Sequence, residues 1–300
     1  MYSGRRDRFL YQGSHDDGRG PDGSGYASAM LPAPAEGSTG LVTGASSGIG
    51  REVARGLAAR GHAVTLVARR AKRLDQLAAE LRERHGVRAE PIAADLSDEG
   101  ERDRLAAEIE RRALRVEVLV NNAGFGIYRP FVASDRRREL EQVRLLVEAV
   151  VDLSARYVPA MVERERGAVV NLSSTAGFQP LPGNGTYAAS KAFVLLHSEA
   201  LHEEVRDRGV TVTAVCPGPV ASEFQEVSEP AFSEHVPKAL WRDPAQVAEE
   251  ALRAVEEGKR TVIPGGLAVR AAFAGNRVAP AALALPVARR VMARELDRGS

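Results

Sequence analysis

The sequence predicts a doubly wound α/β fold, in which one seven-stranded parallel sheet carries helices on both of its faces. From Thr39 onward short apolar runs alternate with helical segments, and a glycine-rich turn joins the first run to the first helix. The runs expected to form strands are residues 40–43, 63–68, 89–93, 116–120, 168–172, 210–215 and 260–263. Strands separated by helices pair in parallel, so each helix is expected to cross over the sheet.

Three of the predicted helices have clear signals. Residues 70–85 place leucines at positions 74, 77 and 81 on one face, and Gly86 is positioned to end this helix. Residues 135–162 predict one long helix with an apolar side. Asp243 precedes Pro244 in the order typical of an N-cap followed by the first helical residue, which predicts a late helix.

The chain divides into three parts. Residues 1–38 are rich in Gly, Asp, Arg, Ser and Pro without helical or strand periodicity, which predicts a disordered extension. Met30 is an alternative start. Residues 39–265 form the predicted dinucleotide-binding catalytic domain, with no internal repeat and no second domain. Residues 266–300 predict a helical tail, which Pro280 and Pro286 interrupt.

Composition argues against several classes of partner. The 41 basic and 40 acidic residues give a net charge of +1, so no overall field attracts nucleic acid. The single cysteine, Cys216, excludes an intramolecular disulfide and fits the cytoplasm, and no HExxH pattern is present, so we expect no metal. The longest apolar run, residues 278–288, is shorter than the ~20 residues of a membrane-spanning helix. For the tail, three roles stay open, in order of preference: completing the substrate pocket, packing at an interface, and peripheral contact with a membrane surface.

The motif TGASSGIG at residues 43–50 follows the first predicted strand and opens the first predicted helix. Gly44 permits a tight turn, Gly48 lets the backbone approach a pyrophosphate, and Gly50 allows close helix packing, while the helix N-terminus offers N–H donors. The alternative is a purely structural turn. The position of the motif between strand and helix favours a Rossmann-type dinucleotide site.

The end of the second predicted strand bears on the choice of cofactor. An enzyme that uses NAD carries an acid here for the ribose 2′-hydroxyl, whereas this chain has Ala68, Arg69 and Arg70. A guanidinium group binds a 2′-phosphate in bidentate fashion. The sequence therefore predicts NADP(H) in preference to NAD(H), with a solvated helix start as the alternative interpretation of the two arginines.

Three polar residues predict the catalytic chemistry. Ser174 follows a predicted strand, Tyr187 comes thirteen residues later, and Lys191 lies four residues beyond Tyr187. The four-residue spacing places Tyr187 and Lys191 on one helix face. A phenol has a pKa near 10, so a neighbouring ammonium group favours proton exchange at neutral pH.

Together with TGASSGIG and NNAG at residues 121–124, these three residues resemble the short-chain dehydrogenase/reductase family, in its single-domain branch, over residues 39–265. The resemblance implies that Tyr187 is the general acid in reduction and that Ser174 orients the substrate oxygen. It also implies that Lys191 holds the nicotinamide ribose and lowers the Tyr187 pKa. An NADP-dependent oxidoreductase that acts on a carbonyl or secondary alcohol follows as the expected activity.

The resemblance also implies the remaining cofactor contacts. Asp95 would contact the adenine, and Ser222 replaces the threonine that usually holds the carboxamide. The full set of expected cofactor residues is Gly44, Ser46, Ser47, Gly48, Ile49, Gly50, Arg69, Arg70, Asp95, Asn121, Ala123, Gly124, Tyr187, Lys191, Pro217, Gly218, Val220 and Ser222.

One position departs from the family pattern. Counting back from Pro159 and Met161, the helix asparagine that bends its helix and anchors a water beside the lysine falls on Leu146. Leucine cannot bind that water through its side chain. The departure motivates a second hypothesis, a non-catalytic dinucleotide-binding sensor. An epimerase or dehydratase is disfavoured because the chain lacks the larger substrate domain of the sugar-nucleotide enzymes.

The substrate side is predicted from loops at strand ends, residues 125–130, 178–182 and 223–241, which are largely apolar. They predict an apolar small molecule as substrate and leave its identity and the reaction direction open. The apolar side of residues 135–162 exceeds what one sheet contact requires, and the resemblance implies pairing of such helices in a homodimer or homotetramer.

Overall fold

The computed structural model describes residues 31–224, 241–265 and 285–286. Within them seven strands form one parallel sheet in the order β3-β2-β1-β4-β5-β6-β7. The strands are β1 (Ser38–Thr43), β2 (Val64–Ala68), β3 (Ala89–Ala93), β4 (Arg115–Asn121), β5 (Gly167–Leu172), β6 (Val210–Val215) and β7 (Thr261–Val262). The predicted Rossmann-type fold is confirmed. The expectations for residues 1–30, 225–240 and most of the tail lie outside the described residues.

Seven α-helices accompany these strands in the described ranges. They are α1 (Gly48–Ala59), α2 (Ala71–His85), α3 (Glu99–Arg111), α4 (Arg136–Val143), α5 (Ala149–Glu163), α6 (Gly185–Val205) and α7 (Pro244–Glu256). Two of the helix-end signals expected from the sequence are found in the structure, one in α2 and one in α7. Gly86 ends α2 at φ +66°, and the Asp243 side chain accepts hydrogen bonds from the first backbone N–H groups of α7.

Two hydrophobic cores lie on opposite faces of the sheet. One packs α1, α2 and α7 against strand residues such as Val42 and Val170, and the other packs α3, α5 and α6 against their neighbours Leu41 and Val169. Adjacent residues of one strand therefore enter different cores. This explains why the strands are continuous apolar runs rather than alternating ones.

The long helix predicted over residues 135–162 is interrupted. α4 and α5 are joined by a π-helical turn, Arg144–Glu148, in which the N–H of Ala149 donates to the carbonyl oxygen of Arg144. A π turn has no simple hydrophobic period, so the pattern that predicted one helix could not reveal it. Buried Arg102 on α3 binds Glu148, the last residue of this turn, and Asp152 in the first turn of α5.

In the part of the chain that the structure describes, no helix is long and apolar enough to cross a membrane. The carboxyl ends of all seven parallel strands lie along one edge of the sheet. The strand order reverses between β1 and β4 at this edge, which opens a crevice there. The crevice is where the predicted site residues meet.

Candidate active site

The glycine-rich turn between β1 and α1 forms one wall of the crevice. Gly44 and Gly48 have φ angles of +66° and +55°, in the left-handed region that glycine favours. A Cβ atom at Gly44 would lie 2.9 Å from the Cα atom of Ala123, so a side chain cannot fit there. Ser47 makes no capping hydrogen bond, which leaves the first N–H groups of α1 for a bound anion.

The end of β4 is tied to this turn. The Thr43 side-chain oxygen accepts from the backbone N–H groups of Asn122 and Ala123 at 2.9 and 3.0 Å, and it donates to the carbonyl oxygen of Val120. The Asn122 side chain donates to the carbonyl oxygen of Thr43 at 2.8 Å. The NNAG segment therefore holds the glycine turn against the neighbouring strand.

The two predicted arginines take different directions. Arg70 donates from its guanidinium group to the side-chain oxygens of Ser46 and Ser47 at 2.9 and 2.8 Å, which places it beside the glycine turn. Arg69 lies near Asp95 and Glu141, with shortest N–O separations of 3.8 and 3.5 Å. Arg70 thus lies where a 2′-phosphate is expected, whereas Arg69 extends toward the acidic side of the crevice.

Asp95 and Asn121 support the strand ends through local hydrogen bonds. The Asp95 carboxylate accepts from the backbone and the hydroxyl of Ser97 at 3.0 and 2.7 Å. Asn121 begins a buried chain in which its amide donates to Asn171, and the Asn171 amide donates to the hydroxyl of Ser198. This chain connects β4, β5 and α6 directly beneath the predicted catalytic residues.

Ser174, Tyr187 and Lys191 converge at the carboxyl end of β5. Ser174 is hydrogen-bonded to the Tyr187 hydroxyl. The Lys191 ammonium group lies 5.6 Å from the centroid of the Tyr187 ring and donates to the carbonyl oxygen of Leu172 at 2.5 Å. Both Tyr187 and Lys191 are buried. The geometry brings together the three residues that the sequence singled out.

Burial dominates the ionisation of this group. It raises the pKa of Tyr187 well above its ordinary value, and the hydrogen bond from Ser174 only partly opposes that rise. Burial also lowers the pKa of Lys191 to about 8. The lowering of the Tyr187 pKa expected from Lys191 is not found in this geometry, and the neighbouring Tyr128 raises that pKa further. Tyr187 therefore holds its proton at neutral pH, as a general acid must.

Gly177, in the turn that follows Ser174, fixes the distance between this turn and α6. A Cβ atom at Gly177 would lie 2.7 Å from backbone atoms of Lys191 and Ala192, so only glycine fits against the helix. The Ser173 hydroxyl donates to the Lys191 carbonyl oxygen at 2.7 Å. These two contacts set the turn bearing Ser174 against the helix that carries Tyr187 and Lys191.

The segment after β6 closes the crevice from the side. The Pro217 carbonyl oxygen accepts from the Thr175 backbone N–H at 3.0 Å, which joins this segment to the turn after β5. Beyond Gly218, Val220 forms an isolated bridge with Arg242. Ser222 lies over the glycine turn, since a Cβ atom at Gly48 would lie 3.3 Å from its own.

Leu146 lies in the π turn and is 1% exposed. Its side chain packs against the NNAG segment, since a Cβ atom at Gly124 would lie 2.7 Å from it and 4.0 Å from the Lys191 ammonium nitrogen. The helix is therefore irregular at this position without an asparagine side chain. Leu146 fills the space beside the predicted catalytic lysine with an apolar group.

Three residues at the site, Arg73, Glu223 and Phe224, were not singled out from the sequence, although Glu223 and Phe224 belong to the loop 223–241 that was predicted to lie on the substrate side. Phe224 packs on the Tyr187 ring with a centroid separation of 5.8 Å, and Arg73 joins Arg70 in binding Glu223. Arg73 could have been predicted from its spacing, because residues three apart, such as Arg70 and Arg73, lie on one face of α2. Nothing in the local sequence indicates the contact of Phe224, because it depends on how the segment after β6 folds back.

Comparison with protein families gives a match to the short chain dehydrogenase model over residues 38–231. Among curated proteins, the very-long-chain 3-oxoacyl-CoA reductase of Anas platyrhynchos is 36% identical over 225 residues, 73% of this chain and 71% of that protein. Its human counterpart is 33% identical over 69% of this chain and 67% of its own length. An uncharacterized oxidoreductase of Myxococcus xanthus is 40% identical over 62% of this chain and 73% of that protein.

Solved structures agree with these matches. A short-chain dehydrogenase from Sphingobium yanoikuyae in complex with NADPH superposes with a TM-score of 0.71 at 34% identity, covering 80% of this chain and 93% of that one. The bulky-bulky ketone specific alcohol dehydrogenase from Comamonas testosteroni gives 0.66 at 32% identity, over 89% and 95%. The chain, with its Rossmann-type sheet and its serine, tyrosine and lysine at the end of β5, thus belongs to the short-chain dehydrogenase family of oxidoreductases.

Proposed function

We propose that this protein uses NADPH to reduce the carbonyl group of an apolar small molecule to a secondary alcohol, or catalyses the reverse oxidation. The observation that carries the proposal is the convergence of Ser174, Tyr187 and Lys191 at the end of β5, across the crevice from the glycine turn. A dinucleotide bound along the crevice would then place its reactive end beside these side chains.

Each of the three residues has a distinct role in this proposal. Tyr187 donates a proton to the substrate oxygen, and its raised pKa keeps that proton available at neutral pH. Ser174 donates a hydrogen bond to the same oxygen, which favours the charge that develops on it. Lys191 holds the nicotinamide ribose and keeps a positive charge near the reacting oxygen below pH 8. The bound nicotinamide supplies the hydride.

The proposed preference for NADPH rests on Arg70 and Arg73. Both guanidinium groups are at the N-terminal end of α2, and Arg70 is bonded to the serines of the glycine turn. A phosphate on the adenosine ribose presents oxygen acceptors that match these donors. The glycine turn has room for backbone to approach a pyrophosphate because Gly44 and Gly48 carry no side chain. The described residues therefore fit this cofactor.

The substrate class is proposed from the relatives and from the walls of the crevice. The relatives include enzymes named for very-long-chain 3-oxoacyl-CoA and for bulky-bulky ketones, and both names describe a carbonyl between large substituents. In this chain Phe224 after β6 packs on the Tyr187 ring. Ile127 after β4 and Leu181 and Pro182 after β5 line a pocket at the N-terminal end of α6, the helix that carries Tyr187. We therefore propose ketones or 3-oxoacyl thioesters with large apolar substituents.

The decisive experiment measures NADPH oxidation by the purified protein against a graded panel. The panel contains 3-oxoacyl thioesters of increasing chain length, aryl ketones with two bulky groups, and small ketones such as acetone. We expect kcat/KM to rise with substituent size. Turnover confined to small polar ketones would contradict the substrate class, and NADPH binding without turnover of any member would favour the non-catalytic sensor.

A homo-oligomer is the second part of the proposal. Exposed apolar side chains lie along α4, α5 and α6, at Leu140, Val143, Val151, Phe193 and Leu196. A cluster of large apolar groups on neighbouring helices is unusual on a monomer surface. Light scattering coupled to gel filtration tests this, and we expect the mass of a dimer or tetramer.

A further inference from the structure

Glu223 bridges two arginines at the adenosine end of the crevice. Its carboxylate lies 2.7 Å from Arg70 Nη1 and 2.5 Å from Arg73 Nη1. Hydrogen bonds from Arg70 and Arg73 hold the pKa of Glu223 below its ordinary value, so the carboxylate is ionised at neutral pH. An anion of the chain itself therefore occupies the guanidinium groups that are proposed to bind a phosphate.

A carboxylate and a phosphate cannot accept the same N–H hydrogens at once. We propose that Glu223 is a cofactor-selectivity residue that the 2′-phosphate of NADPH must displace from Arg70 and Arg73, whereas NADH leaves it in place. This inference rests on the proposed use of NADPH. It assigns Glu223 the role of an internal competitor, which lowers the affinity for the phosphorylated cofactor relative to the non-phosphorylated one.

The expected size of the competition follows from exposure. The Arg70, Arg73 and Glu223 side chains are each between a third and a half exposed, so water and salt weaken their pairing. A phosphate dianion carries more charge than a carboxylate and offers three acceptor oxygens. The phosphate therefore displaces the carboxylate from the two arginines. Removing the Glu223 carboxylate as a competitor should tighten NADPH binding about threefold to tenfold.

The chain neighbours of Glu223 extend the consequence to the catalytic end. Ser222 lies over Gly48 of the glycine turn, and Phe224 packs on the ring of Tyr187. The ion pairs of Glu223 are thus one attachment of a segment that touches both ends of the crevice. When the 2′-phosphate displaces Glu223, this attachment of the segment is released.

The test is a set of binding titrations by calorimetry with wild type, Glu223→Gln and Glu80→Gln. Glu80 is a matched control, because it is as exposed as Glu223, at 34%, and binds Arg55 on the surface of α1 away from the catalytic residues. The ligands are NADPH, NADH and adenosine 2′,5′-bisphosphate. Glu223→Gln should bind NADPH and the bisphosphate about threefold to tenfold more tightly, with NADH within about twofold of wild type. Glu80→Gln should match wild type for all three ligands.

A thermodynamic cycle makes the assignment sharper. In an Arg73→Ala background the gain from Glu223→Gln should shrink, because one of the two pairs is already absent. Unchanged or weaker NADPH binding by Glu223→Gln would overturn the inference, since the carboxylate would then be neutral or would hold the arginines ready for the phosphate. If Arg70→Ala and Arg73→Ala weaken the binding of NADPH and of NADH equally, the proposed preference for NADPH itself fails instead. Selective loss of NADPH in those arginine variants, with no gain in Glu223→Gln, would refute only the role of Glu223.

Discussion

The two ends of the crevice differ in the kind of side chain that forms them, since one end carries exposed charges and the other carries buried groups. At the adenosine end, Arg70, Arg73 and Glu223 are exposed charges arranged around a glycine turn whose backbone provides the donors. At the catalytic end, Tyr187 and Lys191 are buried, and burial shifts the pKa of both. Exposed charges are screened and can exchange partners at little cost, whereas buried groups keep one arrangement. Substitutions should therefore be graded at the adenosine end and severe at the catalytic end.

The largest expected effect comes from Tyr187→Phe. The change removes the transferable proton and little volume, so we expect kcat for ketone reduction to fall by about 10²–10⁴-fold. NADPH affinity should remain within a few-fold of wild type, because the phenol contributes little to cofactor binding. Stopped-flow reduction assays and fluorescence titration of NADPH measure the two quantities. Turnover near the wild-type rate would show that another group donates the proton.

The next effect in size is expected at the adenosine end. The double change Arg70→Ala and Arg73→Ala should weaken NADPH about 10- to 100-fold, because each charge-assisted hydrogen bond to phosphate contributes about 1.5–3 kcal/mol before solvent screening. NADH should lose much less. Arg69→Ala provides the comparison, since Arg69 extends toward Asp95 and Glu141 and should affect NADPH less than the double change. If Arg69→Ala weakens NADPH binding more selectively than the double change does, the 2′-phosphate would instead be bound by Arg69.

A pH effect follows from Lys191. Its pKa of about 8 means that the ammonium form dominates at neutral pH and is lost as the pH rises through 8. Because kcat/KM reports the free enzyme, the rate of reduction should be level below about pH 7 and should fall up to about tenfold per unit above pH 8. Lys191→Arg keeps its charge to higher pH, so any residual activity should decline later. A wild-type profile that stays level to pH 10 would contradict the role of the Lys191 charge.

The smallest effect is expected at Leu146. Leu146→Asn introduces an amide that can hold a water beside Lys191, so activity should stay within a few-fold of wild type or rise. The change also places a polar group in a buried position, which costs about 1–3 kcal/mol of stability if the amide finds no partner. Thermal unfolding must therefore be measured with the kinetics. A folded variant that has lost activity would show that the present mechanism needs the apolar side chain.

Some features of the fold could be predicted from the sequence and others could not. The bounds of β3 and β6 and the caps at Gly86 and Asp243 follow from local patterns, because they depend on neighbours in the chain. The π turn at Leu146 was missed, since it depends on how α4 and α5 pack on the rest of the molecule and leaves no period in the sequence.

The site shows the same division. Ser174, Tyr187 and Lys191 could be identified because two of them share a helix face and all three belong to one short segment. The contact between Arg73 and Glu223 joins residues 150 positions apart, and such a pairing is set by the fold rather than by spacing. The position of Arg69 and Arg70 at the end of β2 was evident from the sequence, whereas the different directions of their side chains were not.

The buried chain from Asn121 through Asn171 to Ser198 has a consequence for how the molecule fluctuates. An amide that loses its partner in a dry interior is costly, so β4, β5 and α6 resist separating one at a time. We expect the three elements to open as one cooperative unit, which amide hydrogen exchange would register as a shared opening free energy. Local openings at the exposed arginine cluster would then occur while Tyr187 and Lys191 remain aligned with the strand beneath them.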